Sequence, residues 1–256
     1  MSGIPVLLLV FMILPSGAGL PSREKSSPNP TVFSPEIARV KTGIFKYRDL
    51  KDGRQIGSDS ASIRRLDASG NLEITAQARF VNDSSGFNSQ RWEAVTSPGF
   101  QPISAGFSLV GKNETVPVFA LRYAANQVTG FAMKRTEEGT RVKRKVEAYV
   151  PDDIVDQRID WVAILCSSLV AGSSFEFQVF DPETGVSHVI AHVEPPLDIQ
   201  VPAGTFKAVV VDYRVEKRSG FEHYRLFVND SLPHMMLREE FPNGVTSELL
   251  TISGVR

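Results

Sequence analysis

Leu72, Ile74, Ala76, Ala78 and Phe80 alternate with Glu73, Thr75, Gln77 and Arg79, a strict period of two. Side chains of a strand point to opposite faces in turn, so this pattern predicts a strand with one buried and one wet face. The same period returns in Val142, Val146, Ala148 and Val150 against Lys143, Lys145 and Glu147. It returns again in Phe175, Phe177 and Val179 against Glu176 and Gln178. Turn-forming groups separate such runs: Lys51-Asp52-Gly53, Ala68-Ser69-Gly70-Asn71, Glu137-Glu138-Gly139, Asp181-Pro182-Glu183-Thr184-Gly185 and Pro242-Asn243-Gly244. These supply the positive-φ residues of tight hairpins. The pattern predicts about ten to twelve strands, joined mostly by short loops in a largely antiparallel sheet.

One segment departs from this period. From Ile154 to Val170 the apolar residues Val155, Ile159, Val162, Cys166 and Leu169 recur at steps of three and four. That spacing predicts a helix about 25 Å long, with Asp152 or Asp153 as its cap and Gly172 at its stop. From Trp161 to Cys166 it is apolar on nearly every side, so it belongs inside the molecule. The expected fold is mainly β, a curved antiparallel sheet or half-open β-barrel wrapped around one central α-helix. A β-sandwich with a peripheral helix is the alternative.

The first 22 residues carry no charged side chain, and Ile4 to Leu14 is an apolar run interrupted only by Pro5. The run is too short for a membrane span of about 20 residues and fits the core of a signal peptide. Small residues follow it, and cleavage is expected after Ala18. Residues 1–18 are therefore expected to be a signal peptide, 19–40 a disordered tether rich in Pro and Ser, and 41–256 a single β-rich domain. The chain is expected to be exported, to the periplasm or beyond the cell, with no stable transmembrane span after cleavage.

Charge and cysteine content narrow the function classes. Lys plus Arg number 28 against 29 Asp plus Glu, a net charge of −1. Such a balance excludes a polyanion-binding surface, so no nucleic acid partner is expected. The single cysteine, Cys166, excludes a disulfide framework and a cysteine-based zinc site. In the most apolar part of the helix it reads as a packing thiol. His188 and His192 lie four apart in a strand, about 13 Å, too far for one metal. The run Arg141, Lys143, Arg144 and Lys145 reads as a wet strand face. No cofactor motif occurs, and none is expected.

Two functions from different classes are compatible with these residues. The first is a non-catalytic envelope protein that holds a hydrophobic, lipid-like or glycan ligand between sheet and helix, against Trp161, Ile164, Leu165, Phe177 and Tyr213. The second is a hydrolase of envelope material with a cleft built from Asp160, Asp181 or His188.

A family resemblance runs through residues 40 to 252. Gly53, Ile56 and Gly57 make a Gly-x-x-Ile-Gly step, and Pro202-Ala203-Gly204-Thr205-Phe206 makes a rigid hairpin corner. Leu232-Pro233-His234 follows, then a closing hairpin through Asn243-Gly244. In this order the chain resembles the bacterial exported domain of unknown function numbered 3108. That resemblance implies a shape like the periplasmic lipoprotein carriers, a half-open barrel over a helix able to hold acyl chains, and assigns no activity.

Overall fold

The computed structural model describes residues 31–66, 69–80, 87–136, 140–217 and 220–254. The expected signal peptide lies outside these residues. The first half is an uninterrupted antiparallel meander: β1 (Gly43–Lys51), β2 (Arg54–Arg65), β3 (Leu72–Phe80), β4 (Phe87–Thr96), β5 (Pro102–Gly111), β6 (Thr115–Ala124), β7 (Gln127–Arg135) and β8 (Arg141–Tyr149). Then come β9 (Val155–Asp156), a 3-10 turn (Gln157–Ile159) and the helix α1 (Asp160–Leu165). The second half holds β10 (Ser174–Asp181), β11 (Gly185–Val193), β12 (Leu197–Val201), β13 (Gly204–Lys217), β14 (Gly220–Asn229), β15 (Met236–Glu240) and β16 (Val245–Ser253). Sixteen strands among the described residues exceed the ten to twelve expected, because β5, β6 and β12 carry weak alternation.

All sixteen strands belong to one curved, unclosed sheet. Its order runs β8 down to β1, then β16, β15, β14, β13, β11, β10 and β9, with β12 beside β13. The first and last strands of the domain pair at its centre, Tyr47 opposite Leu249 and Asp49 opposite Ser247. Only β9 and β10 pair parallel among these strands. The expected turns form where their residues demand it. Asp52 and Gly53 have φ of 51° and 76°, which gives a two-residue turn whose twist matches β1 and β2. Val201 opposes Gly204, so Pro202 and Ala203 make the tight corner between β12 and β13.

The long helix expected over 154–170 does not form. Val155 and Asp156 pair instead with Val179 and Phe180 of β10. The Asp156 carboxylate then accepts the Arg158 amide at 2.9 Å and starts the 3-10 turn. Six helical residues remain, about 9 Å long. At the far end the Ser167 hydroxyl donates to the Ala163 carbonyl at 2.9 Å, and the Glu36 amide takes the Cys166 carbonyl at 2.7 Å. Gly172 has the positive φ of a stop, 82°, but stands well beyond the helix end. The burial expectation does hold: Val162, Ala163, Ile164 and Cys166 are fully buried and Leu165 is 1% exposed. Cys166 is a buried free thiol whose pKa burial raises.

This short segment sits between strands that are far apart in the sheet order. β9 pairs with β10 yet touches β5, and the 3-10 turn touches β4. Tyr123 of β6 donates to Asp156 at 2.5 Å and meets Phe180 of β10 edge-on at 6.3 Å. Arg144 of β8 reaches the Pro182 carbonyl in the turn after β10. The two ends of the sheet thus curl toward each other without closing. Among the described residues no helix is long and apolar enough to cross a membrane.

Residues 31–40, assigned above to a tether, are docked. The Thr31 amide bonds the Ser174 carbonyl at 2.8 Å, and Phe33 stacks on Phe177 at 4.4 Å and on Phe175 at 5.8 Å. Stacking of this kind adds to the apolar area that the ring removes from water. Phe33→Ala is expected to lower stability by about 2 kcal/mol in urea melts.

Candidate functional site

Cross-strand partners share a face, so the register fixes which side chains look into the curl. Trp92 of β4 opposes Phe107 of β5 and Ala76 of β3, Ala76 opposes Ala61 of β2, and Ala61 opposes the buried Phe45 of β1. Trp92 and Phe107 therefore face inward. They stack at 5.6 Å, and Phe107 meets Phe119 at 5.8 Å. Both Trp92 and Phe107 remain half-buried on a face where their neighbours Ala94, Ala105 and Phe119 are buried. The Arg158 guanidinium lies over the Phe119 ring at 5.3 Å.

Acids occupy the same face. Asp59 opposes Tyr47, Asp49 opposes both Gly57 and Ser247, and Ser247 opposes Glu239 of β15. Asp49 and Asp59 share a hydrogen bond, with Asp59 holding the proton. Glu239 accepts from the Tyr213 hydroxyl at 2.9 Å. Asp160, at the head of α1, accepts its neighbour Trp161's amide at 2.7 Å and acts electrostatically on Glu239.

Burial dominates the ionisation of this group. It pushes Glu239 up to about 8, with the Asp160 charge adding to the effect. It pushes Asp160 up to about 7, against the Trp161 amide and the Arg158 and Lys217 cations. Asp59 is held well above the ordinary range by burial and then by the charge of Asp49. Asp181 goes the other way: burial would raise it, but Arg158 at 2.5 Å and the amides of Glu183 and Thr184 hold it down.

These directions predict a pH dependence. Between the ordinary glutamate value of 4.5 and about 8, the folded state keeps a proton on Glu239 that the unfolded chain has released. The stability tied to that proton is complete at the acidic end and is lost as pH rises through 8, about 1.4 kcal/mol per pH unit. Asp181, with its lowered value, acts in the opposite sense only below about pH 4. Urea midpoints are expected to fall between about pH 5 and pH 8, and Glu239→Gln to flatten the fall.

The five residues expected to hold a ligand fall in two classes. Ile164, Leu165, Phe177 and Tyr213 are almost wholly buried, and Tyr213 is bonded to Glu239, so these four form packed walls. Trp161 alone of the five keeps free surface. Of the expected hydrolytic set, His188 stands apart, paired with Glu176 on the outer face at 3.1 Å, while Asp181 pairs with Arg158 and Asp160 feels the same guanidinium. Asp49, Asp59, Glu239, Trp92 and Phe107 were missed by sequence reasoning. A signal for two of them exists: Asp49 continues the inward phase Phe45-Tyr47, and Asp59 the phase ending in Ala61 and Ile63. Among the described residues no group of acids, histidines and cysteine could hold a metal ion.

Two of the segments that carried the resemblance meet at one place. A surface groove of about 440 Å³ is lined by Phe206 from the Pro-Ala-Gly-Thr-Phe corner and by Leu232 and Pro233, with Lys41 and Lys207 beside them. His234 is buried, and its ring bonds the Leu165 carbonyl while its backbone bonds Arg39 and Lys41. This histidine ties the N-terminal segment to the end of α1, a structural role.

One solved structure of barrel-like shape agrees with this architecture. A β-barrel-like protein of the domain of unknown function DUF1849 from Brucella abortus superposes with a TM-score of 0.55 at 7% identity, over 84% of this chain and 98% of that one. A Bacteroides fragilis protein with a YmcC-like fold is similar over 86% of this chain and 100% of its own, with a TM-score of 0.36 and 11% identity. Among curated proteins, none matches this sequence. The model of the family described as protein of unknown function (DUF3108) matches residues 52–249, from the first hairpin turn to the centre of β16, and the chain belongs to that family.

Proposed function

We propose that this protein is exported and binds a small ligand, without catalysis, on the inward face of its curved sheet. One observation carries the reading. Trp92 and Phe107 are stacked aromatics that face the interior yet keep free surface. An aromatic left half-bare on a concave wall beside well-placed polar groups is the composition of a ligand site. Trp161, at the head of the short helix, also keeps free surface. In this reading α1 and its 3-10 turn act as the central element over which the sheet curls. Export rests on the apolar run Ile4 to Leu14 and the small residues after it. The ligand class is hydrophobic or glycan, and the compartment periplasmic or extracellular.

Native mass spectrometry of the protein purified from its own cell envelope tests this. A mature chain beginning near Gly19 with a co-purifying small molecule is expected. An intact Met1 in a membrane fraction would remove export, and a bare chain from every preparation would remove ligand binding.

A second reading, a hydrolase of envelope material, draws on the Asp49–Asp59 pair, two carboxyls sharing a proton inside the curl. It requires that the wild type release fragments from purified envelope glycan and that Asp59→Asn abolish the release.

A further inference from the structure

β8 is the open end of the sheet. It pairs with β7 over its whole length, from Arg141 opposite Arg135 to Tyr149 opposite Gln127, with no break in register. Among the described residues no strand lies beyond it. The other end of the sheet is closed off differently, since β9 is two residues long and touches β5. A terminal strand presents a row of backbone N–H and C=O groups that no neighbouring strand takes up, and over β8 this row is about 30 Å long. Proteins blunt such an edge with proline, a bulge, shortness or charge. β8 is nine residues long and has no proline, no glycine and no bulge. Only charge remains.

That charge is almost all of one sign. Arg141, Lys143, Arg144 and Lys145 stand against a single acid, Glu147, which Lys145 engages. Arg144 reaches the Pro182 carbonyl, and the Lys143 ammonium lies over the Phe131 ring at 4.0 Å. Alternation along the strand puts Arg141, Lys143 and Lys145 on one face with Tyr149, which is 80% exposed. Val142, on the other face, is 51% exposed. Large apolar side chains therefore stand bare near both ends of an unpaired, basic edge.

We propose that β8 is a docking edge for an extended acidic segment of another protein, which adds to the sheet as a further strand. The main-chain groups supply the affinity, and the row of cations selects the sign of the partner. A second copy of this chain does not fit, because two β8 edges side by side would bring four cations from each copy together. Anionic head groups of a lipid surface match the charge but leave the backbone row without partners. The same charge that keeps two copies apart leaves the edge open to a strand of opposite sign. The proposal stands whether or not the inner face of the sheet holds a ligand.

Fluorescence anisotropy tests this with the full chain and two labelled peptides as long as β8, one alternating Glu and Thr, the other Lys and Thr. Hydrogen exchange across residues 141–149 is read alongside. The Glu-Thr peptide is expected to bind at least about tenfold tighter than the Lys-Thr peptide and to slow exchange of the β8 amides. Lys143→Glu combined with Lys145→Glu, both exposed, should reverse the preference. Lys46→Glu, on a strand paired on both sides, should leave it unchanged. Binding of the Glu-Thr peptide without slower exchange in β8 would mean a charged surface that takes any polyanion, and overturns strand addition. Equal binding of the two peptides, no binding of either, or a preference untouched by the β8 substitutions overturns the edge as the site. Should the double variant not fold, the peptide preference and exchange pattern of the wild type decide.

Discussion

Leu165→Asp is expected to leave the protein unable to fold. Leu165 is 1% exposed, at the end of a helix whose next residue, Cys166, is fully buried. A carboxylate there would be cut off from water, and the cost of burying such a charge exceeds the whole stability of most domains. Leu165→Ala leaves a cavity and loses methylenes, for an expected loss of about 2–5 kcal/mol. Lys46→Ala, on the exposed face of β1, should change stability by no more than about 0.5 kcal/mol. Urea melts of the three variants, with circular dichroism of Leu165→Asp, give the result. A cooperative melt of Leu165→Asp near the wild-type midpoint would place the helix at the surface.

Gly57→Ala is expected to cost about 2–4 kcal/mol, a large effect for one methyl group. Its backbone is not the reason, because its φ lies in the ordinary region. A Cβ at Gly57 would stand 2.6 Å from the Arg79 carbonyl oxygen and 2.9 Å from Asp49 Oδ2. The first of these is backbone of the neighbouring strand and cannot swing away. The glycine therefore makes the space in which the Asp49 carboxyl lies against β2. Gly99→Ala, where the nearest atom is 3.9 Å away, is the control and should be near neutral. Equal melts for the two variants would mean that Asp49 does not depend on that space.

The sheet was legible in the chain because a half-buried strand writes its faces directly into the sequence. Leu72 to Phe80 shows this most cleanly, with Leu72, Ile74 and Ala78 buried and Arg79 exposed. Hairpin turns were legible for the same reason: Asp52-Gly53 and Asn243-Gly244 are local chemistry. The helix was legible in type and burial but not in length. Val155 and Ile159 sit at helical steps, yet a backbone pairing with β10, nearly twenty-five residues further on, takes Val155 first. No local period records that competition. Phe33 was hidden in the same way, since its Pro- and Ser-rich surroundings favour open chain and only the distant Phe175 and Phe177 hold it.

The site was less legible than the fold. Aromatic and aliphatic residues of the helix and β10 stand out in the sequence because they are large and apolar, and most of them are almost wholly buried. The acids escaped because each alone looks like a solvent residue. Asp49 and Asp59 stand on the two strands of one hairpin, but Glu239 comes from the far end of the chain, and only the pairing of β1 with β16 and of β16 with β15 brings it onto their row. Reading each strand's phase, rather than each residue's polarity, would have marked Asp49 and Asp59.

The most direct measurement compares the mass carried by three forms of the protein purified from the same envelope: wild type, Trp92→Ala and Arg91→Ala. Trp92 faces the interior and Arg91, the next residue on β4, faces solvent. If the inward face of the sheet is the binding surface, the wild type and Arg91→Ala carry the same additional mass and Trp92→Ala loses it. Retention of that mass by Trp92→Ala would place any bound molecule elsewhere and contradict a site on the inner wall.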